Sequence, residues 1–344
     1  MTRIRGRPLL LEGRTLYFSR KNSIFVLRDG VIMPFAQVES GNPLLALAPR
    51  LIDRLLRNEI SLLRRMPDRG LLAVDRRGFH LLEPGADRFS LRWSIGRGSR
   101  PLGMSTEKDA WMVYGEYGSL SRSEPVHVYA ARYPSFAFEP VHSFAPGEIK
   151  HVHNVQWDPH DLCYWVLVGD ADGESGILRL RADFSGAEWL IRGSQLARAV
   201  NVFVLPDALL YATDSERAGN WVVSVDKRSG AVTRIQEVAS SSLGAARMRG
   251  RYYVSTAVEP SLVNLTRTCH LYESADGLGW KPVAGHAKDL WHPTYFQFGT
   301  LVLPHCVDAE LLVYGGQAVR GLDGHFVVST PEPGSPDAPS SSLS

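Results

Sequence analysis

Helical periodicity is almost missing from this 344-residue sequence, and long apolar runs are missing too. No stretch reaches the roughly 18 apolar residues that a membrane-crossing helix needs. The opening segment MTRIRGRPLLLEGR lacks an apolar core of signal-peptide length. No integral membrane span is therefore expected, and a cytoplasmic location is. Cysteine is scarce: Cys163, Cys269 and Cys306 are far apart, odd in number and outside any CxxC or His-Cys spacing. That pattern excludes a disulfide framework and a thiolate zinc site and predicts buried apolar thiols. Charge of one sign is lacking as well, with 38 Lys and Arg against 36 Asp and Glu and a net of +2. Such a balance gives no drive toward nucleic acid or anionic lipid. There is no GxSxG elbow, P-loop, HExxH or helix-opening GxGxxG.

What the chain has in quantity is short strand-like runs bounded by Gly, Pro, Asp and Ser, for example Thr15 to Ser19, Trp111 to Gly115, Tyr164 to Gly169 and Tyr252 to Thr256. The pattern is all-β. One helix candidate interrupts it, an insertion at about residues 44–63. There Leu47, Leu51, Leu55 and Leu62 share a face, and Arg50, Arg54 and Arg57 lie away from it. Its apolar face is expected to pack on its own domain, which would run over residues 1–330. The Pro- and Ser-rich stretch 331–344 reads as a disordered tail.

A positional repeat organises the strands. WMVYGEYG, WVLVGDADGE, LLYATDSE, YYVSTAVE and LLVYGGQ are apolar strands that end in small residues and then a polar one, at Glu116, Asp170, Asp214, Glu259 and Gln317. Their spacing of 44 to 58 residues is that of propeller blades, each a four-stranded antiparallel sheet. With two earlier units the count is seven blades, and six with an irregular N-terminal region is the alternative. Thr2 to Arg7 could supply the strand that the last unit lacks and so close the ring.

In a propeller the turn leaving the second strand of a blade shares a face with the start of the innermost strand. Glu116, Asp170, Asp214 and Glu259 should then meet at one mouth, with Asp172, Glu174, Glu216 and Arg20 near them. Facing them would be His151 and His153 in KHVHNVQWDPH, Arg198 in QLARAV, and His292 with Tyr295 in WHPTYF. Carboxylates held close shift one another's pKa, so one can donate a proton while another stays ionised, as glycoside hydrolysis requires. The competing reading is that each carboxylate simply caps a turn. His151-Val152-His153 sets two imidazoles on one side of a strand, which is the spacing of a metal clamp that His292 or His305 could join. The plainer alternative is one core and one substrate or surface histidine. No cofactor is otherwise expected.

LYESADGLGW resembles the Asp-box of sialidase-type propellers through Ser274, Asp276, Gly277 and Trp280, and ADFSGAEW is a more degenerate copy. GEYG, KHVHNVQWDPH, WVLVGDADGESGI, GSQLARAV and YATDSERAGN are similar to the sialidase-like, BNR-repeat proteins of bacterial polysaccharide gene clusters. The resemblance spans about Pro101 to Trp280. It implies a propeller and a glycosyl hydrolase-like role on a sugar or saccharide in polysaccharide biosynthesis or turnover. The Asp-box itself is a structural hairpin in that family. The family's Phe-Arg-Ile-Pro segment, arginine triad and Tyr/Glu nucleophile pair find no match that can be placed on this sequence, so sialic acid cleavage is not expected. Glu116 and Asp170 are the first choices for acid and base, followed by Asp214 and Glu259. His151, His153, Glu174, Arg198, Arg20, His292 and Tyr295 would contact substrate. A non-catalytic glycan-binding or scaffold propeller is the alternative, and a His/Tyr-based or metal-assisted lyase is the third.

Overall fold

The computed structural model describes residues 2–39, 48–57 and 59–329. Antiparallel meanders follow one another along it. Arg7–Glu12, Thr15–Arg20, Ser23–Arg28 and Val31–Val38 pair in chain order as the first unit. Leu62–Arg65, Leu71–Val74, Gly78–Leu82 and Arg88–Ser94 form the second. The third contains Trp111–Gly115, Val126–Arg132 and Glu139–Phe144, its inner strand reduced to a bridge between Ser105 and Val113. His151–Asp158, Cys163–Gly169, Gly176–Arg181 and Ala187–Arg192 make the fourth. The fifth is Phe203–Val204, Ala208–Ala212, Asn220–Asp226 and Val232–Val238. The sixth is Ser242–Met248, Arg251–Val258, Thr268–Ser274 and Lys281–Ala287. Gly299–Val302, Leu312–Gln317 and His325–Ser329 come last, and Thr2–Arg5 pairs with His325–Ser329, Ile4 opposite Phe326. The fold is a β-propeller.

Packing explains why the second strands read as continuous apolar runs. Each is covered on both faces by the neighbouring sheets, so alternation is lost, and every residue of Leu71–Val74 and Cys163–Gly169 is buried. Fourth strands lie at the rim and are largely open to solvent, as in Arg88–Ser94, where Phe89 alone is buried. The core is a succession of clusters between consecutive units. Leu10, Tyr17, Leu63 and Ala73 join the first two. Leu72, Phe79, Met112 and Tyr114 join the next pair, and Val113, Val128, Val155 and Val166 the pair after that. Trp165 and Leu167 pack with Tyr211 and Val223, and Leu210 and Val222 with Val254. Phe18 of the first unit meets Phe326 of the last at 5.0 Å, in a cluster that also holds Met248 and Val313. Burial of each such side chain is worth about 1.5–3 kcal/mol.

The Asp-box residues form the turn between the third and fourth strands of the sixth unit. The Asp276 carboxylate accepts from the Leu278 and Gly279 amides, the Ser274 hydroxyl accepts from Gly277, and Trp280 Nε1 donates to the Gly277 carbonyl. Gly277 sits at φ +82 with Leu210 against it, where a side chain would be both strained and crowded.

The helix departs from expectation in extent and orientation. It runs only over Arg50–Leu56, while Leu62–Arg65 is a strand, and Leu45 and Leu47 lie outside the described residues. The polar side is the one turned inward. Asp53 and Arg54 are buried, while Leu55 is 45% exposed and Ile52 and Leu56 are also open. The cause is the floor beneath it: Arg54 pairs with Asp289 at 2.5 Å and Asp323 at 3.4 Å and donates to the Phe296 carbonyl at 3.0 Å. Stripping a buried guanidinium of these partners would cost more than leaving Ile52, Leu55 and Leu56 partly exposed. The stretch 331–344, expected to be a disordered tail, also lies outside the described residues.

Candidate functional site

The inner strand of the fourth unit begins with a β-bulge. The register shifts between Val152 and Asn154, so His153 has no partner across the ladder and its ring turns toward Asp170. His153 and His151 are both buried, with ring centroids 5.0 Å apart. Each is anchored through Nδ1, His153 on the Ala199 carbonyl at 2.9 Å and His151 on the Gly118 carbonyl at 3.2 Å. Each directs Nε2 at one oxygen of Asp170, Oδ1, at 3.4 Å and 3.5 Å.

Asp170 follows the second strand of the same unit, and cations reach it from two sides. Lys150 Nζ lies 2.5 Å from Oδ2 and Arg198 Nη2 lies 3.1 Å from Oδ1. Burial would raise the Asp170 carboxyl, but its hydrogen bonds to His151 and His153 and the charges of His151 and Arg198 hold it well below the ordinary range. Burial has the upper hand at His153, whose pKa is lowered despite the bond to Asp170.

Arg198, placed by the short 3-10 turn Gln195–Ala197, is the hub. The same Nη2 that touches Asp170 lies 3.4 Å from Asp214 Oδ2, and Nη1 lies 3.8 Å from Glu216 and donates to the Asp170 carbonyl at 3.2 Å. Gln195 ties the turns together, donating to Asp172 at 2.7 Å and accepting from the Ser215 hydroxyl at 2.9 Å. Asp214 has a different fate from Asp170. Its Oδ1 is buried without a hydrogen-bond partner among the described residues, as is Glu259 Oε2. Burial, opposed by Arg198 and reinforced by Glu259 and Asp170, pushes Asp214 well above the usual carboxylate range. Glu259 is raised too, first by burial and then by Glu216 and Asp170 against the pull of Arg198 and Ser241. One cluster thus holds a carboxyl pushed down, Asp170, and two pushed up, Asp214 and Glu259.

Tyr117 completes the cluster. Its ring lies 4.5 Å from His151, and burial together with Asp214, Asp170 and Glu259 raises its hydroxyl to about 12.

The other expected residues lie elsewhere. Glu116 Oε2 accepts the His127 amide at 2.9 Å, and Oε1 lies 3.6 Å from Arg97, so this carboxylate caps its own blade. Glu174 pairs with Arg122. The Arg20 guanidinium stacks on Phe25 at 4.7 Å and donates to the Arg5 carbonyl, within a basic cavity it shares with Arg7, Lys21 and Arg50. His292 precedes the short helix Pro293–Phe296 and is exposed with Tyr295, their rings 5.4 Å apart. Neither His292 nor His305 joins His151 and His153; Asp170 does. Tyr117 and Lys150 are the functional candidates that the repeat did not single out. Both adjoin residues that it did, and side-chain alternation after Glu116 is the signal that turns Tyr117 inward.

No protein-family profile matches the chain, and no curated protein matches it in sequence. Solved structures do resemble it. A puromycin hydrolase aligns over 90% of this chain and 50% of its own, with 12% identity and a TM-score of 0.57. The extracellular domain of a one component system from B. thetaiotaomicron aligns over 96% of this chain and 42% of its own, with 10% identity and a TM-score of 0.56. The chain thus spans half or less of these relatives. A chain of the Mitotic Checkpoint Complex, 12% identical, aligns over 94% of this chain and 91% of its own with a TM-score of 0.55. At these identities the likeness is one of fold.

Proposed function

We propose that this chain is a seven-bladed propeller that hydrolyses a glycosidic bond of a saccharide at its mouth. One observation carries the reading: Arg198 gathers carboxyls whose environments drive them apart, Asp170 ionised and Asp214 with Glu259 raised. A glycosidase needs a proton donor beside an ionised partner, and mutual repulsion lets Asp214 and Glu259 share one proton between them. Asp214 and Glu259 take the acid and base roles, the protonated one delivering to the glycosidic oxygen and the other drawing a proton from water. Asp170 orients Arg198 and the two histidines, while Arg198 and Tyr117 offer hydrogen bonds to sugar hydroxyls or an acidic substituent. Acid and base work therefore shifts from Glu116 and Asp170 to Asp214 and Glu259.

The test is a screen of bacterial polysaccharides for new reducing ends, followed by Asp214→Asn and Glu259→Gln. Each substitution should lower kcat by about 10²–10⁴ while binding of the polysaccharide persists. Release of unsaturated uronate products, read by ultraviolet absorbance, would replace hydrolysis with the His/Tyr lyase reading. Saccharide binding without any turnover would make the propeller a glycan-binding module.

A further inference from the structure

We propose that His151, His153 and Asp170 bind a divalent transition-metal ion of the zinc class at the mouth of the propeller. The argument starts from protons. A carbonyl oxygen can only accept, so the Gly118 and Ala199 carbonyls place the proton of each neutral ring on Nδ1. Both Nε2 lone pairs then face outward, and they face the same carboxylate oxygen at 3.5 Å and 3.4 Å. Three acceptors pointed at one another repel unless positive charge lies among them, either a second ring proton, which gives the bonds to Asp170 described above, or a metal ion that takes its place.

The spacing fits such a cation. Ligands bonded tetrahedrally at about 2.0–2.1 Å stand about 3.3–3.4 Å apart, close to the two separations seen, and all three donor atoms fall within 4.8 Å of one another. The anchoring of Nδ1 on backbone carbonyls is the outer-shell arrangement that orients metal-binding imidazoles. Charge points the same way. Asp170, Asp214, Glu216 and Glu259 all act on Arg198, and Lys150 is the further cation in contact with Asp170. Four carboxyls thus share two basic side chains. The inference does not depend on the substrate; failure to bind the metal would remove this proposal alone, and failure to hydrolyse saccharide would remove only the other.

The experiment is calorimetric titration of Zn²⁺ into the chelator-treated full chain, with a parallel Co²⁺ titration followed by visible absorption. One equivalent should bind, the Co²⁺ spectrum should carry the intense bands of a four-coordinate nitrogen and oxygen site, and Zn²⁺ should raise the Tm. His153→Ala and Asp170→Asn should each weaken binding at least about 100-fold. The Co²⁺ spectrum of the unsubstituted protein needs no variant to fold. Sub-stoichiometric binding, a six-coordinate spectrum or affinity unchanged in His153→Ala would overturn the site. So would imidazole NMR signals showing a doubly protonated ring hydrogen-bonded to Asp170 with Zn²⁺ present.

Discussion

The turn after the second strand carries a carboxyl in five consecutive units, Asp75, Glu116, Asp170, Asp214 and Glu259, yet the second and third units use it differently from the fifth and sixth. Asp75 accepts from the Arg77 amide at 2.8 Å, pairs with the Arg77 side chain at 2.9 Å and contacts His80 Nε2 at 3.0 Å. Glu116 is engaged by a backbone amide and Arg97. In the fifth and sixth units the corresponding groups have oxygens without hydrogen-bond partners among the described residues, and both have raised pKa values. The same residue type at the same place is a partnered scaffold group where its own blade supplies donors and a carboxyl of raised pKa where the blade withholds them. Asp170 lies between the two regions, fully partnered but by side chains from the mouth.

The largest effect that would sharpen this contrast is at Asp75. Its pKa is lowered to about 2, because His80 and the Arg77 amide and charge overcome the cost of burial. A depressed carboxyl contributes stability above its ordinary pKa and loses it as pH falls through the native value. Asp75→Ala should therefore cost about 3 kcal/mol at neutral pH, and the gap to the parent protein should narrow from about pH 4 down to about pH 2. Urea unfolding across that range measures both, and a neutral-pH loss below about 1 kcal/mol would deny Asp75 its scaffold role.

Asp214 has the opposite sign. Its native pKa is raised, so between the ordinary value and the native one the folded state holds a proton that the unfolded chain has released, and stability falls as pH rises. Asp214→Asn removes that titration. The variant should gain on the parent by about 1 kcal/mol as pH goes from 4 to 8, while losing turnover. A parallel pH dependence of the two proteins would place Asp214 with the scaffold carboxylates.

Much of this was legible because a repeat converts sequence position into spatial position. The apolar second strands, the closing role of Thr2 to Arg7 and the convergence of His151, His153, Asp170, Arg198 and Asp214 all follow from where residues sit in the unit. The repeat says nothing about which turn is capped locally. Glu116 and Asp170 both follow a Gly at the end of a strand, and their roles diverge because His127 and Arg97 approach one while His151, His153, Lys150 and Arg198 surround the other. The helix misled for a similar reason. Its periodicity names an apolar face, but the partners that invert it, Asp289 and Asp323, are supplied from more than 200 residues further along the chain. Local pattern cannot weigh a charged floor that the fold delivers.

The smallest expected effect is the one that most directly divides the two regions. Glu116→Gln keeps an oxygen to accept the His127 amide and gives up only the charge opposite Arg97, which is partly exposed. A screened pair of that kind is worth under about 1 kcal/mol, so the urea midpoint should barely move. Turnover should stay within about twofold of the parent, because Glu116 lies outside the Arg198 cluster and touches none of its carboxyls. A loss as deep as that of Asp214→Asn would mean that the Glu116 side chain leaves the His127 amide when substrate binds, and the line between scaffold and reactive turns would then have to be redrawn through the third unit.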